Sequence, residues 1–392
     1  MNWKEKITAG VQAIPPSGIR KFFDIVQTMP DAISLGVGEP DFITPWHIRE
    51  AAMDSIRDGK TAYTSNAGTP RLRKAIAAYT EKRLNVSYDP DKEILVTVGA
   101  SEAIDLAMRA LIEPGDEVII PDPSYVSYMP NVSLVHGIPV PVRTLAENDF
   151  RLTPEDLEKA ITPKTKAIIL PYPNNPTGAI MGRQHLEALA KVIEKHDLLV
   201  ISDEIYSELT YGQTHVSFAS LPGMRDRTIL INGFSKSFAM TGWRVGFLCA
   251  PAEALAAMKK IHQYVIMCAS TMSQEAACEA LEQAFRDNFA DVKRMHDDYD
   301  MRRRVILNGM NELGLTAFEP RGAFYIFPCI RSTGLSSEDF AQSLLKEQHV
   351  AVVPGTAFGV SGEGYVRCSY ASSLKNINEA LRRISLFLEN RK

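Results

Sequence analysis

Between about residues 94 and 250 the sequence has a rhythm that few folds can accommodate. Short, unbroken apolar runs rich in Val and Ile alternate with helical patterns: EILVTV (93–98), then SEAIDLAMRALI (101–112), then DEVIIP (116–121). KAIIL (166–170), a helical stretch near 183–195, LLVISD (198–203) and TILING (228–233) follow. Runs that are apolar throughout, rather than at every second position, indicate strands buried on both faces. Strands interleaved with helices imply β-α-β units and a mainly parallel sheet, an α/β architecture. Turn chemistry agrees: Glu113-Pro114-Gly115-Asp116 stops one helix. Thr153-Pro154-Glu155-Asp156 starts another, with a capping hydroxyl and a proline at the first helical position.

After about residue 252 the texture changes. Long helical patterns cover roughly 252–264, 271–285 and 287–313. Short strands AFYIFP (323–328), VAVVP (350–354) and GYVRCSY (364–370) follow, and an amphipathic helix from about 375 closes the chain. This reads as a smaller α+β domain. The first forty-odd residues lack a sheet of their own and are expected to fold onto it, with GVGEPDFITPWHI (36–48) as the crossing. The expected division is an N-terminal arm with part of the small domain over 1–46, a large domain over 47–285 and the remaining small domain over 286–392. A chain of 392 residues fits two such units at ~150 residues per domain.

Composition narrows the partners. The formal charge of −4 gives no electrostatic reason to expect nucleic acid or an anionic membrane. No stretch approaches the ~18 apolar residues of a membrane helix. The N-terminus lacks the apolar core of a secretory signal. Five scattered cysteines without a C-x-x-C pair read as buried thiols. The expected location is the cytoplasm.

In an open parallel sheet, ligands sit beyond the carboxyl ends of the strands. Gly99-Ala100-Ser101-Glu102 follows the first strand and opens a helix, where backbone amides and the helix dipole favour a phosphate. Pro171-Tyr172-Pro173-Asn174-Asn175-Pro176-Thr177-Gly178 is a rigid turn able to aim an asparagine amide, although such residues also make plain surface turns. Asp203 ends a buried strand, with Tyr206 three positions on, and a carboxylate there needs a cationic partner. Phe234-Ser235-Lys236-Ser237 follows the last strand. A lone lysine is ordinarily a solvated surface group. Here four strand ends supply a phosphate cradle, an amide, a carboxylate with a phenol, and an amine. An amine able to form a Schiff base, facing a carboxylate for a pyridinium nitrogen, is what pyridoxal phosphate chemistry requires. Competing motifs fail: Asp54 occupies the place of the first P-loop glycine before Gly59-Lys60-Thr61, and Ser101 and Ser235 lack the glycines of a nucleophile elbow. The histidines have no metal-ligand spacing.

These residues give the sequence a resemblance to the class I/II, fold-type-I, pyridoxal-phosphate aminotransferases, across nearly the whole chain from Ser17-Gly18-Ile19-Arg20 onward. The matching motifs are YTSNAGTPRLR (63–73), GASEAI (99–104), NNPTG (174–178), SDEIY (202–206), FSKSFAMTGWRVGF (234–247) and GYVRCSYA (364–371). The chain is similar in particular to the bacterial aminotransferase A group associated with N-acetyl-diaminopimelate aminotransferase activity. The resemblance implies a large domain with a sheet of the seven-stranded type plus a smaller α+β domain. It implies that Lys236 holds the cofactor covalently, that Asp203 pairs with the ring nitrogen, that Asn175 and Tyr206 bond the ring's phenolate oxygen, and that Tyr125 stacks on the ring. The phosphate would lie against Ala100, Ser101, Ser235 and Arg244, with Tyr63 donated by a second subunit of a homodimer. Gly38, Asn175 and Arg367 would receive the substrate carboxylate. One departure is Gly233, where many relatives carry a phosphate-binding serine, so the grip would rest more on backbone amides.

Arg367 lies in a short strand between apolar Val366 and Cys368. Its planar fork suits either a carboxylate ligand or a structural ion pair. Tyr125 and Tyr63 could equally be ordinary half-buried aromatics. The implied activity is transamination between an L-amino acid and a 2-oxo acid, with 2-oxoglutarate as acceptor by family analogy. The donor could be N-acetyl-LL-2,6-diaminopimelate in lysine biosynthesis, aspartate or an aromatic amino acid. Arg20, Arg71 and Arg321 are candidates for a distal carboxylate by motif neighbourhood. The alternatives are a cysteine-conjugate or cystathionine β-lyase using the same lysine, and a cofactor-sensing regulator. The regulator would need an added DNA-binding domain, for which a pattern beginning near residue 17 leaves no room.

Overall fold

The computed structural model describes residues 1–16, 18, 29 and 31–391. Ser17, Ile19 and Arg20 lie outside the described residues. The strands are β1 (Ile33–Ser34), β2 (Ile94–Thr97), β3 (Glu117–Asp122), β4 (Ile138–Arg143), β5 (Thr165–Leu170) and β6 (Leu199–Asp203). They continue with β7 (Thr228–Gly233), β8 (Gly246–Cys249), β9 (Tyr325–Ile326), β10 (Val350–Ala351), β11 (Val353–Pro354) and β12 (Val366–Ser369).

Seven of these make one sheet in the order β2-β8-β7-β6-β5-β3-β4. From β7 to β4 every pairing is parallel, and β8 runs antiparallel to both of its neighbours. The five expected strands β2, β3, β5, β6 and β7 are buried along nearly their whole length, which is why their sequences are apolar throughout. Two strands were not expected. β4, IPVPVR, carries two prolines and is largely unburied, a composition suited to a sheet edge, where a missing N–H breaks no ladder. β8, GFLC, is short and directly follows the lysine loop. Helices flank the sheet, with Gly99–Leu111, Arg183–Lys195, Ala252–Val265 and Thr271–Arg286 close to their expected spans. Thr153 caps its helix through Asp156 N at 3.1 Å, with Pro154 inside the first turn.

A second, three-stranded antiparallel sheet has the order β11-β12-β9, which puts Arg367 on its central strand. The helices Ala290–Glu312, Ser337–Gln348 and Leu374–Glu389 accompany it around Tyr299, Phe324, Phe340, Tyr370 and Phe387. β1 pairs with β10 in parallel, Ile33 opposite Val350. The strand expected over 323–328 shortens to β9, and that over 350–354 divides into β10 and β11. Among the described residues no helix is long and apolar enough to cross a membrane.

Candidate active site

Because β2, β3, β5, β6 and β7 point the same way, their C-terminal ends share one edge of the sheet. That edge brings together Gly99, Tyr125, Asn175, Asp203 and the Ser235-Lys236 loop. Residues 36–44 cross over the same edge and are tied down there. Thr44 Oγ1 donates to Ala239 O at 2.5 Å and accepts from Trp243 Nε1 at 3.0 Å, and Thr241 Oγ1 donates to Glu39 at 3.1 Å.

Lys236 Nζ donates to Gly38 O at 2.7 Å and sits 5.7 Å from the Phe324 ring centre and 5.9 Å from that of Tyr206. Burial brings its ammonium down from the ordinary lysine range to about 8, against the opposing pull of Glu39 and with help from Arg367 and Arg244. A substantial fraction is therefore neutral amine near physiological pH. Asp203, 5% exposed, accepts from Tyr128 Oη at 2.8 Å and from the Ile205 amide at 3.2 Å. Burial pushes its carboxyl above the usual range, while those two hydrogen bonds and Lys236 hold it down. No ion pair involves Asp203 among the described residues, and its buried carboxylate therefore calls for a cation. A protonated ring nitrogen meets that need.

Arg367 is 1% exposed. Nη1 donates to Asn175 Oδ1 at 2.9 Å and Nη2 to Gly36 O at 2.5 Å, whereas Nε has no partner. Its carbon lies 4.5 Å from the Tyr325 ring centre and 4.7 Å from that of Phe358. No carboxylate pairs with it among the described residues, so the structural ion pair considered from sequence is not made. Burial lowers its pKa, and an uncompensated buried guanidinium is a strong receptor for a carboxylate. Gly38 belongs to this pocket: a side chain there would meet Tyr325 Oη at 2.9 Å and both Arg367 terminal nitrogens at 3.7 Å.

The helix Gly99–Leu111 has no side-chain cap, leaving the first-turn amides, Ala100 and Ser101 included, open to an anion. Gly99 has φ +75°, and a Cβ there would lie 2.8 Å from Arg244 Nη2, so the guanidinium stands directly against this helix start. Ser235 is buried beside the lysine. The departure at Gly233 has a steric reason: a Cβ would fall 2.9 Å from Gly246 Cα on β8. A helix start with open amides, an arginine, a buried carboxylate lacking a cation and a near-neutral lysine together fit pyridoxal phosphate.

Tyr125 is half-buried with its ring edge-on to Tyr128, 5.6 Å between centres at 81°. Tyr206 shares a 2.8 Å hydrogen bond with Tyr325 Oη. Tyr63 is different: it is 81% exposed, and among the described residues no hydrogen bond or ring contact links it to the others. Arg71 is held by Glu282 and Glu275, and Arg321 by Glu319. Sequence reasoning missed Tyr128, Tyr325, Phe358 and Gly36. A tyrosine in a buried strand or helix requires a partner for its hydroxyl, and that was the available signal.

The family model described as aminotransferase class I and II matches residues 30–384. The chain is similar to the putative aminotransferase YugH of Bacillus subtilis, 53% identical over 378 residues that cover 96% of this chain and 97% of that protein. It is 48% identical to an aspartate aminotransferase of Pyrococcus abyssi, covering 97% of each chain. Among solved structures, an aromatic aminotransferase from Pyrococcus horikoshii OT3 superposes with a TM-score of 0.89 at 46% identity, covering 94% of this chain and 99% of that one.

Proposed function

The chain belongs to the class I and II aminotransferases, and from that premise we propose that Lys236 holds its pyridoxal 5'-phosphate covalently and moves the substrate's α-proton. The enzyme transfers amino groups between amino acids and 2-oxo acids and uses that cofactor. The observation that carries the assignment of Lys236 is a half-buried amine, donating to Gly38 O at 2.7 Å, at the strand-end edge that also carries Asp203.

When bound, pyridoxal phosphate supplies an aldehyde that condenses with amines and a cationic ring that withdraws electrons from the attached carbon. Asp203, its carboxylate oriented by Tyr128, would keep the ring nitrogen protonated. Asn175 and Tyr206 would hold the phenolate oxygen, and Tyr125 would contact the ring. Ala100, Ser101, Ser235 and Arg244 would hold the phosphate. Arg367, with Asn175 and Gly38, receives the substrate carboxylate in two parallel hydrogen bonds, which fixes the α-carbon's orientation. Lys236 Nζ, whose ammonium burial brings down to about 8, would act as the base that holds and returns the substrate's α-proton.

We also infer a homodimer in which Tyr63 reaches the partner's phosphate site. Tyr63 lies near an exposed apolar run, Tyr264-Val265-Ile266-Met267. Asn66 Nδ2 bonds Met267 O at 2.8 Å and Thr271 Oγ1 bonds Ala62 O at 2.8 Å, joining the two segments into one surface. Contiguous exposed apolar side chains of this kind suit a self-complementary interface. Residues 1–46 with 286–392, and 47–285, are proposed as the two working units.

For the substrate, we propose an L-amino acid donor with 2-oxoglutarate as acceptor. N-acetyl-LL-2,6-diaminopimelate, aspartate and an aromatic amino acid are the donors to compare. Arg71 and Arg321, each occupied by glutamate, do not support a distal-carboxylate role within one chain. Purified holoenzyme given each donor should form glutamate only when 2-oxoglutarate is present. Release of pyruvate and ammonia from cystathionine without any 2-oxo acid would favour the β-lyase reading instead.

A further inference from the structure

The connection between β11 and β12 folds over the end of β3, and the contact there is made by a buried carboxylate unused by the chemistry above. Asp122, the last residue of β3, is 1% exposed. Its Oδ2 accepts from the Ser361 amide at 3.0 Å, and its Oδ1 has no hydrogen-bond partner. Two residues on, the Ser124 amide donates to Phe358 O at 3.0 Å. Gly359, between these two attachments, has φ +132°, and a Cβ there would lie only 1.5 Å from Asp122 Oδ1. The loop therefore lies flat against the strand end at three consecutive points.

What the loop carries makes the contact relevant to substrate. Phe358 is 2% exposed and packs 4.7 Å from the Arg367 guanidinium carbon. On the other side of the clasp, Tyr125 follows Asp122 by three residues. We propose that Asp122 is a positioning residue: by holding the Phe358–Ser361 loop it sets where Arg367 stands relative to Tyr125 and the bound cofactor. This rests on the assignment of Arg367 as the carboxylate receptor. The holding is by hydrogen-bond acceptance from Ser361, and the charged group that acts on the carboxyl, Arg143, is an exposed side chain.

The test compares holoenzyme variants for cofactor absorbance and for steady-state kinetics with one amino acid and one 2-oxo acid. Asp122→Ala leaves the Ser361 amide without its acceptor and frees the loop. The expected result is a KM raised about tenfold for both substrates, kcat changed less than about threefold, and the visible band retained. Asp122→Asn keeps an acceptor and should restore KM to within about twofold of wild type. Gly359→Ala, which thrusts a methyl onto Asp122, should raise KM as Asp122→Ala does, and decides the matter if that variant is insoluble. KM values unchanged in both Asp122→Ala and Gly359→Ala would overturn the proposal. So would loss of the visible band in step with activity, which marks general damage. Absence of the band from wild type would instead count against Lys236, so the two failures are distinguishable.

Discussion

At the scale of single residues, the site depends on groups whose surroundings move them away from their ordinary protonation. Asp203 is the clearest case. Burial drives its carboxyl upward and Tyr128 opposes this with a 2.8 Å hydrogen bond. Removing the phenol in Tyr128→Phe leaves burial less opposed, so the carboxyl protonates at higher pH. We predict that the acid limb of the kcat–pH profile moves to higher pH and that kcat at neutral pH falls about tenfold, with the donor KM little altered. An unmoved acid limb would show that the phenol does not govern Asp203. Lys236, Asp203, Asn175 and Tyr206 could be singled out in the sequence as candidates because each lies at or shortly beyond the end of an apolar strand. Tyr128 and Tyr325 could not, since a tyrosine within an apolar pattern looks like core. Their hydroxyl partners, Asp203 and Tyr206, are 75 and 119 residues away in the chain.

At the scale of elements, legibility followed burial. β3, β5, β6 and β7 stood out because both faces are covered and every position must be apolar. β4 escaped notice because Pro139 and Pro141 read as breakers, yet an edge strand tolerates them. β8 was hidden inside FSKSFAMTGWRVGF, where the lysine loop dominates the pattern. Its pairing with β7 brings the strand pair against the start of the helix Gly99–Leu111. Gly233 opposes Gly246, and a Cβ on Gly246 would fall 2.8 Å from the Ala100 amide nitrogen. Two glycines thus let a strand pair slide beneath the helix start, and a side chain at Gly233 has no room here. The two-residue ladder of β1 with β10 is too short to have a sequence signature, although the absence of any other sheet for the first forty residues pointed toward it.

At the scale of the whole molecule, the large sheet supplies the amine and the carboxylate, while the small sheet supplies Arg367 on its central strand. In the proposed dimer Tyr63, 81% exposed in a single chain, completes the partner's phosphate site. Light scattering on the holoenzyme should therefore give twice the chain mass. Mixing a Tyr63→Phe variant with a Lys236→Ala variant should yield hybrids with at most one intact site per dimer. A fully active monomer would contradict the shared site. The proposed chemistry centres on the amine at position 236. Its most direct test is to load cofactor-free enzyme with pyridoxal phosphate across a pH series, reduce with borohydride and map the modified peptide. The adduct should lie on Lys236, and its rate of formation should climb as pH passes about 8, where the neutral amine becomes the major form, and then level off. An adduct on a different lysine, or none at any pH, would contradict it.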